Sequence, residues 1–225
     1  MILITGASRG LGRSVALRLS NRGQEVLGLS RKCIDQPFES VSCDVSDYAA
    51  VKAIAQQLRK QKREINGIIN AAGIASMNLA VTTPPSVTQR LIQTNLMGTI
   101  HCCQLFAPLM IRKKFGSIIN FSTIAVALGL KGESIYSASK AGVEGFSRAF
   151  AREMADFNIR VNCVAPGPIK TDLLKGVRDE QIEAIVTRQV IPKIFLPEDV
   201  CDLCEFLLGN QSQAISGQVL HVGGA

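Results

Sequence analysis

From Ile2 to Val222, short apolar runs with strand character alternate with longer segments of helical periodicity, and this alternation leaves few folds open to the chain. Fully apolar strands separated by helix-length segments imply βαβ units, whose parallel sheet must be covered on both faces. Strands are predicted at 2–5, 25–30, 41–43, 67–70, 117–122, 159–164 and 218–222. Helices are predicted at 10–21, from the Asp47 cap to about 62, at 86–113, around Tyr136 and Lys140 to about 157, and from Pro197 onward. Only about ten residues, Pro37 among them, separate the second and third strands, too few for a crossover helix, so that corner is expected to be a loop. With 225 residues and no linker, repeat or low-complexity tract, the expectation is a single α/β domain, a doubly wound parallel sheet of about seven strands. The polar, helix-prone region within 168–196 reads as a substrate lid or as a surface excursion.

Composition narrows the function classes. The chain is 47% hydrophobic and 19% charged, and no apolar run reaches the roughly 18 residues of a membrane span. It opens on Met1-Ile2-Leu3-Ile4-Thr5 with neither the basic region of a signal peptide nor an Arg/Ser-rich transit segment, which suggests an intracellular, cytoplasmic protein. Seven cysteines at irregular spacing suit a reducing compartment. Cys201-Asp202-Leu203-Cys204 matches C-x-x-C, but no second pair completes a metal site, and no metal is expected. The net charge of +7 is dispersed and aromatics make up only 5% of residues, which argues against a nucleic-acid partner. The one basic cluster, Arg112-Lys113-Lys114, reads as a solvated helix end or as a dock for an acidic partner.

Directly after the first strand comes Thr5-Gly6-Ala7-Ser8-Arg9-Gly10-Leu11-Gly12. Glycines permit a tight turn and close approach of backbone to ligand, and the following helix N-terminus attracts phosphate. The spacing is G-x-x-x-G-x-G, and its strand–turn–helix setting points to a dinucleotide. At the end of the second strand, where a ribose-binding acid suits NAD, the residues are Ser30-Arg31-Lys32. Arg31 and Arg9 offer guanidinium contacts to a 2′-phosphate, so NADP is preferred over NAD. In Ser134-Ile135-Tyr136-Ser137-Ala138-Ser139-Lys140, Tyr136 and Lys140 are four apart and share a helix face. An ammonium beside a phenol lowers its pKa toward usefulness as a proton donor, although the same pair occurs on ordinary solvated helices.

The Gly-rich turn, Asn70-Ala71-Ala72-Gly73, Asn95, the Tyr136/Lys140 pair and Pro166-Gly167 occur in one order along the chain, and with them the sequence resembles the short-chain dehydrogenase/reductase family over nearly its full length. Ser137-Ala138-Ser139-Lys140-Ala141-Gly142, Arg160-Val161-Asn162 and Val164-Ala165-Pro166-Gly167 are most similar to the β-ketoacyl-[acyl-carrier-protein] reductase and carbonyl reductase branch. The resemblance implies a Rossmann-like fold and an NADPH-dependent reductase. In that reading Tyr136 exchanges the proton, Lys140 lowers its pKa and holds the nicotinamide ribose, and Asn95 holds a water linking Lys140 to solvent. Cofactor contacts would come from Gly6, Ser8, Arg9, Gly10, Leu11, Gly12 and Arg31. Asp44 and Val45 would meet the adenine, Asn70, Ala71, Ala72 and Gly73 the ribose side, and Pro166, Gly167, Ile169 and Thr171 the nicotinamide. The carbonyl-orienting serine of the family corresponds to Thr123; Ser122 is adjacent but should face the other way on a strand. His101 and His221 miss the family's catalytic positions and read as structural.

The implied reaction is hydride transfer to a ketone, with a 3-oxoacyl thioester on acyl carrier protein as the first substrate. A free small ketone or alcohol is the alternative, and a catalytically silent nucleotide-binding or subunit-partner protein is the reading of another class. The resemblance also suggests a homodimer or homotetramer packed through the helices that carry Asn95 and Tyr136.

Overall fold

The computed structural model describes residues 1–169 and 179–225, so Thr171 and part of the expected lid lie outside the described residues. Seven strands form one sheet: β1 (Ile2–Thr5), β2 (Val26–Ser30), β3 (Glu39–Ser42), β4 (Gly67–Asn70), β5 (Gly116–Phe121), β6 (Ile159–Pro166) and β7 (Val219–Val222). Their order is β3-β2-β1-β4-β5-β6-β7, and every pairing is parallel. Around them lie α1 (Gly10–Asn21), α2 (Tyr48–Lys60), α3 (Pro85–Leu91), α4 (Gly98–Ile111), α5 (Ala125–Leu128), α6 (Ser134–Ala155), α7 (Asp179–Val186) and α8 (Pro197–Leu208).

Each sheet face has its own core. Val15 and Leu19 of α1 pack with Val200 and Leu207 of α8 against one face, over Ile4, Ile69 and Ile119. Val51 and Leu58 of α2, Phe106 and Met110 of α4, and Phe150 and Met154 of α6 pack against the other, over Leu3, Ile68 and Ile118. The doubly wound architecture expected from the alternation is therefore present, with a loop and no helix between β2 and β3. Asp47 caps α2 as anticipated, accepting from the Ala49 and Ala50 amides at 2.9 and 3.2 Å.

Two local features differ from expectation. The long helix predicted at 86–113 is broken by a π-helical turn, Ile92–Met97, between α3 and α4. The short α5 follows β5 directly and ends at Gly129, whose φ of 59° is the left-handed conformation a helix end requires.

The chain runs outward from β1 to β3 and then crosses back to place β4 on the other side of β1. That reversal opens a crevice at the carboxyl ends of β1 and β4, the place where open α/β sheets bind ligands. Among the described residues no helix is long and apolar enough to cross a membrane.

Candidate active site

At the reversal the turns after β1 and β4 nearly touch. A Cβ on Gly6 would lie 2.9 Å from the backbone of Ala72, and one on Gly12 would lie 2.5 Å from the Gly6 carbonyl. Gly6 also has a φ of 71°, so side chains are excluded there by both space and conformation. The Ala72 amide donates to the Thr5 hydroxyl at 3.1 Å, tying the two turns together. A Cβ at Gly10 would meet nothing within 4 Å, and Arg9, at the N-cap of α1, makes no side-chain capping bond. Open space and uncapped helix amides above a glycine turn fit a dinucleotide's phosphates.

At the adenosine end, β2 finishes on buried Ser30, which supplies no carboxylate for a ribose hydroxyl; its hydroxyl donates to the Lys32 carbonyl at 2.8 Å. Arg31 is exposed. Burial alone would raise the Asp44 carboxyl, but hydrogen bonds from the Ser46 hydroxyl and amide and the charge of Arg31 carry it below the usual range. Val45 packs against Gly98, and its carbonyl meets His101 Nδ1 at 3.0 Å, giving that buried ring a structural partner. An exposed arginine beside the adenosine crevice, with no carboxylate at the end of β2, fits a 2′-phosphate.

Tyr136, Lys140, Thr123 and Asn95 converge on the other side of the reversal. The Thr123 hydroxyl accepts from the Ala125 amide at 3.3 Å and lies beside the Tyr136 phenol. Burial and the nearby Glu133 carboxylate push that phenol up to about 12, and the neighbouring Thr123 hydroxyl opposes them. Lys140 does not act on the phenol in this arrangement. Its amine donates to the Phe121 carbonyl at 2.7 Å, and burial, opposed by the neighbouring Cys163, brings it down to about 8. The expected Tyr136–Lys140 pair thus becomes two side chains of one α6 face that reach successive parts of β5 and the turn after it.

Ser122 faces away from Tyr136, donating to Glu144 Oε1 at 2.6 Å, whereas Thr123 faces the phenol. Three hydrogen bonds tie the end of β5 and the turn after it to α6: Lys140 to the Phe121 carbonyl, Ser122 to Glu144, and the Ser137 hydroxyl to the Ala125 carbonyl at 3.2 Å. The Glu144 contact had no signal in the sequence, because the two partners are 22 residues apart in the chain.

Asn95 is fully buried within the π-helical turn. Its side chain serves another segment rather than its own helix: Oδ1 accepts from the Ile74 amide at 2.9 Å, while Nδ2 donates to the Ile74 carbonyl at 2.9 Å and to Ser139 Oγ at 3.0 Å. A Cβ at Gly73 would sit 3.3 Å from Asn95 Oδ1 and 3.5 Å from Lys140 Nζ, so glycine here lets the two polar groups face one space. Asn70 lies deeper, donating to Asn120 Oδ1 at 2.8 Å beneath the turn.

Beyond β6, the Gly167 amide donates to the Val222 carbonyl at 3.0 Å, and Ile169 bridges to Phe195. Gln189 is buried between Gly167 and Gly223, and Arg188 donates to the Leu128 carbonyl at 2.5 Å. The segment after α7 therefore lies over the rim of the site. Arg112, Lys113 and Lys114 precede β5 and so lie at the opposite, amino end of the strands from Thr123, with Lys113 paired to Glu64. Cys201 and Cys204 are buried in α8, and no metal-holding cluster occurs among the described residues.

Comparison with known proteins agrees with this arrangement. A family model described as enoyl-(acyl carrier protein) reductase matches residues 6–224. A 3-oxoacyl-[acyl-carrier-protein] reductase of Staphylococcus aureus is 34% identical, the match covering 99% of this chain and 96% of that protein. Two solved structures superpose closely. Aldohexose dehydrogenase of Thermoplasma acidophilum has a TM-score of 0.90 at 29% identity, covering 99% of this chain and 92% of that one. ElxO with NADP bound has a TM-score of 0.88 at 28% identity, covering 98% and 96%. With a family match that spans both turns, the Tyr136 helix and the last strand, the chain belongs to the short-chain dehydrogenase/reductase family and is an oxidoreductase.

Proposed function

We propose that the protein reduces a ketone with NADPH, and that a 3-oxoacyl thioester carried on acyl carrier protein is its first candidate substrate. The observation that carries the reaction is the Thr123 hydroxyl set beside the half-buried Tyr136 phenol at the mouth of a crevice shaped for a dinucleotide. NADP fits the Gly6–Gly12 turn and Arg31, and a structural relative is described with NADP bound. Bound there, NADPH supplies the hydride.

The chain's own groups handle the proton and the geometry. Thr123 donates a hydrogen bond to the substrate oxygen and fixes the carbonyl toward Tyr136. Tyr136 gives its proton to that oxygen as negative charge develops. A phenol held near 12 keeps its proton at neutral pH, which suits the reductive direction. Lys140 provides positive charge beneath the site, and Asn95 and Gly73 leave room beside it for a proton route to solvent.

Full-length similarity to an acyl-carrier-linked reductase supports the thioester. The placement of Arg112–Lys114 at the far end of the strands favours the second reading, a free small ketone or alcohol, for which no carrier has to dock. Assembly as a dimer or tetramer through the helices that carry Asn95 and Tyr136, and a lid formed by the segment around α7, belong to the same proposal. Light scattering tests the first, and protection of the α7 amides from exchange on NADPH addition tests the second. The central experiment follows loss of reduced-nicotinamide absorbance with an acetoacetyl thioester and with simple diketones. Turnover abolished by Tyr136→Phe is expected; tight NADPH binding without turnover on either substrate class would overturn the assignment.

A further inference from the structure

Glu144 is an acid at an unusual address. It lies on α6 four residues beyond Lys140 and eight beyond Tyr136, hence on the same helix face, and is only 7% exposed. Both carboxylate oxygens are engaged: Oε1 accepts from Ser122 at 2.6 Å and Oε2 from Arg148 at 3.3 Å. A buried carboxylate is costly unless its bonds are made, so this contact resists rearrangement.

Its partner is the residue directly before Thr123. The Ser122 amide donates to the Val164 carbonyl at 2.8 Å and the Ile124 amide to the Pro166 carbonyl at 3.1 Å. These bonds hold the backbone on either side of Thr123 against β6. They restrain the rotation of the segment about its own axis only through the backbone, and a side chain anchored at Ser122 tightens that restraint next to Thr123. Neighbouring residues of extended chain project to opposite sides, so a Ser122 side chain pinned to Glu144 turns the Thr123 hydroxyl toward Tyr136.

We infer that Glu144 is a positioning residue for the reaction: by anchoring Ser122 it sets the direction from which Thr123 presents its hydroxyl to Tyr136 and to the substrate carbonyl. This rests on the catalytic reading of Thr123 and Tyr136 given above. The relevant substitutions are Glu144→Leu, which removes the acceptor but keeps an apolar filling, Ser122→Ala, and the two combined. Glu144→Gln retains an acceptor oxygen for Ser122.

With an acetoacetyl thioester or diketone and NADPH, Glu144→Leu and Ser122→Ala should each lower kcat about tenfold while KM for NADPH stays within about twofold. The double variant should be no worse than the poorer single one, and Glu144→Gln should recover kcat to within about threefold of the parent. Additive losses, an unchanged kcat in Glu144→Leu, or failure of Glu144→Gln to recover would each overturn the inference.

A second readout does not need turnover. The chain has 2 tyrosines, so a sample with 13C at the tyrosine Cζ gives a Tyr136 signal assigned by its loss in Tyr136→Phe. That signal should move in Glu144→Leu and in Ser122→Ala and return in Glu144→Gln, because it reports the surroundings of the phenol, to which the Thr123 hydroxyl contributes. A signal that stays put in both disruptive variants refutes the anchoring. If it moves as expected while the parent turns over neither substrate, the anchoring stands and the proposed reaction falls.

Discussion

Lys140 should make the stability of this protein rise with pH in a window where most of its other buried groups make it fall. Burial takes the amine from 10.5 to about 8, and at 5% exposure solvent screens little of that shift. Between those values the unfolded chain holds the proton and the folded chain has released it, so folding is favoured as pH rises. At 1.36 kcal/mol per pH unit the full effect is about 3.4 kcal/mol, of which about 2.5 kcal/mol appears between about pH 7 and about pH 10. The buried thiols of Cys43, Cys163 and Cys201, raised by burial to about 11, work the other way, because unfolding lets them ionise. The assay must therefore be a difference: urea unfolding of the parent and of Lys140→Met at both pH values. Loss of the amine strands the Phe121 carbonyl at a cost of about 1–3 kcal/mol, but that cost is the same at either pH. The parent should gain about 2.5 kcal/mol relative to Lys140→Met on going from the lower to the higher pH. A Cys163→Ala background removes the one thiol that interacts with Lys140. Parallel stability profiles, agreeing within about 0.5 kcal/mol, would refute the reasoning and mean that Lys140 is far better solvated or paired than its surroundings indicate.

Three further outcomes test the site. Thr123→Val keeps the shape but removes the hydroxyl, and should lower kcat by about 30- to 300-fold, whereas Thr123→Ser should stay within about fivefold; steady-state kinetics on one ketone decides it. Arg31→Ala should weaken NADPH binding by about 10- to 150-fold, equivalent to about 1.5–3 kcal/mol, and leave NADH binding nearly unchanged, as read by titration calorimetry. Equal effects on the two coenzymes would remove Arg31 from the 2′-phosphate. Gly12→Ala would press a methyl 2.5 Å from the Gly6 carbonyl, where only backbone can give way. It should cost about 1–3 kcal/mol in urea unfolding and abolish detectable NADPH binding.

What could be read from the chain beforehand was whatever depends on near neighbours. Strand–helix alternation gave the sheet its parallel order, Asp47 announced a cap, and the short tract around Pro37 ruled out a helix between β2 and β3. The π-helical turn at Ile92–Met97 was invisible because what accompanies it is tertiary: Asn95 bonds both backbone groups of Ile74, 21 residues away. The pairing of Tyr136 with Lys140 was foreseen from helical spacing, which predicts a shared face but not the destination of each side chain. In the fold the carbonyl of Phe121 takes the amine and the phenol lies beside Thr123. Thr123 was indicated by the family resemblance and Ser122 was set aside by strand alternation; the Ser122 side chain does turn away, to Glu144, a partner that lay beyond local reach.

The strand order has a consequence for anyone wishing to alter this protein. Arg31 follows β2 and Thr123 follows β5, with β1 and β4 between them, so three interstrand steps separate the two residues. At about 4.8 Å per step that is about 14 Å, beyond the range at which substitutions usually influence one another. Coenzyme choice and carbonyl choice can thus be re-engineered as separate projects and their solutions combined in one chain. The three hydrogen bonds that tie the end of β5 to α6 offer no such freedom, and changes there should be made together.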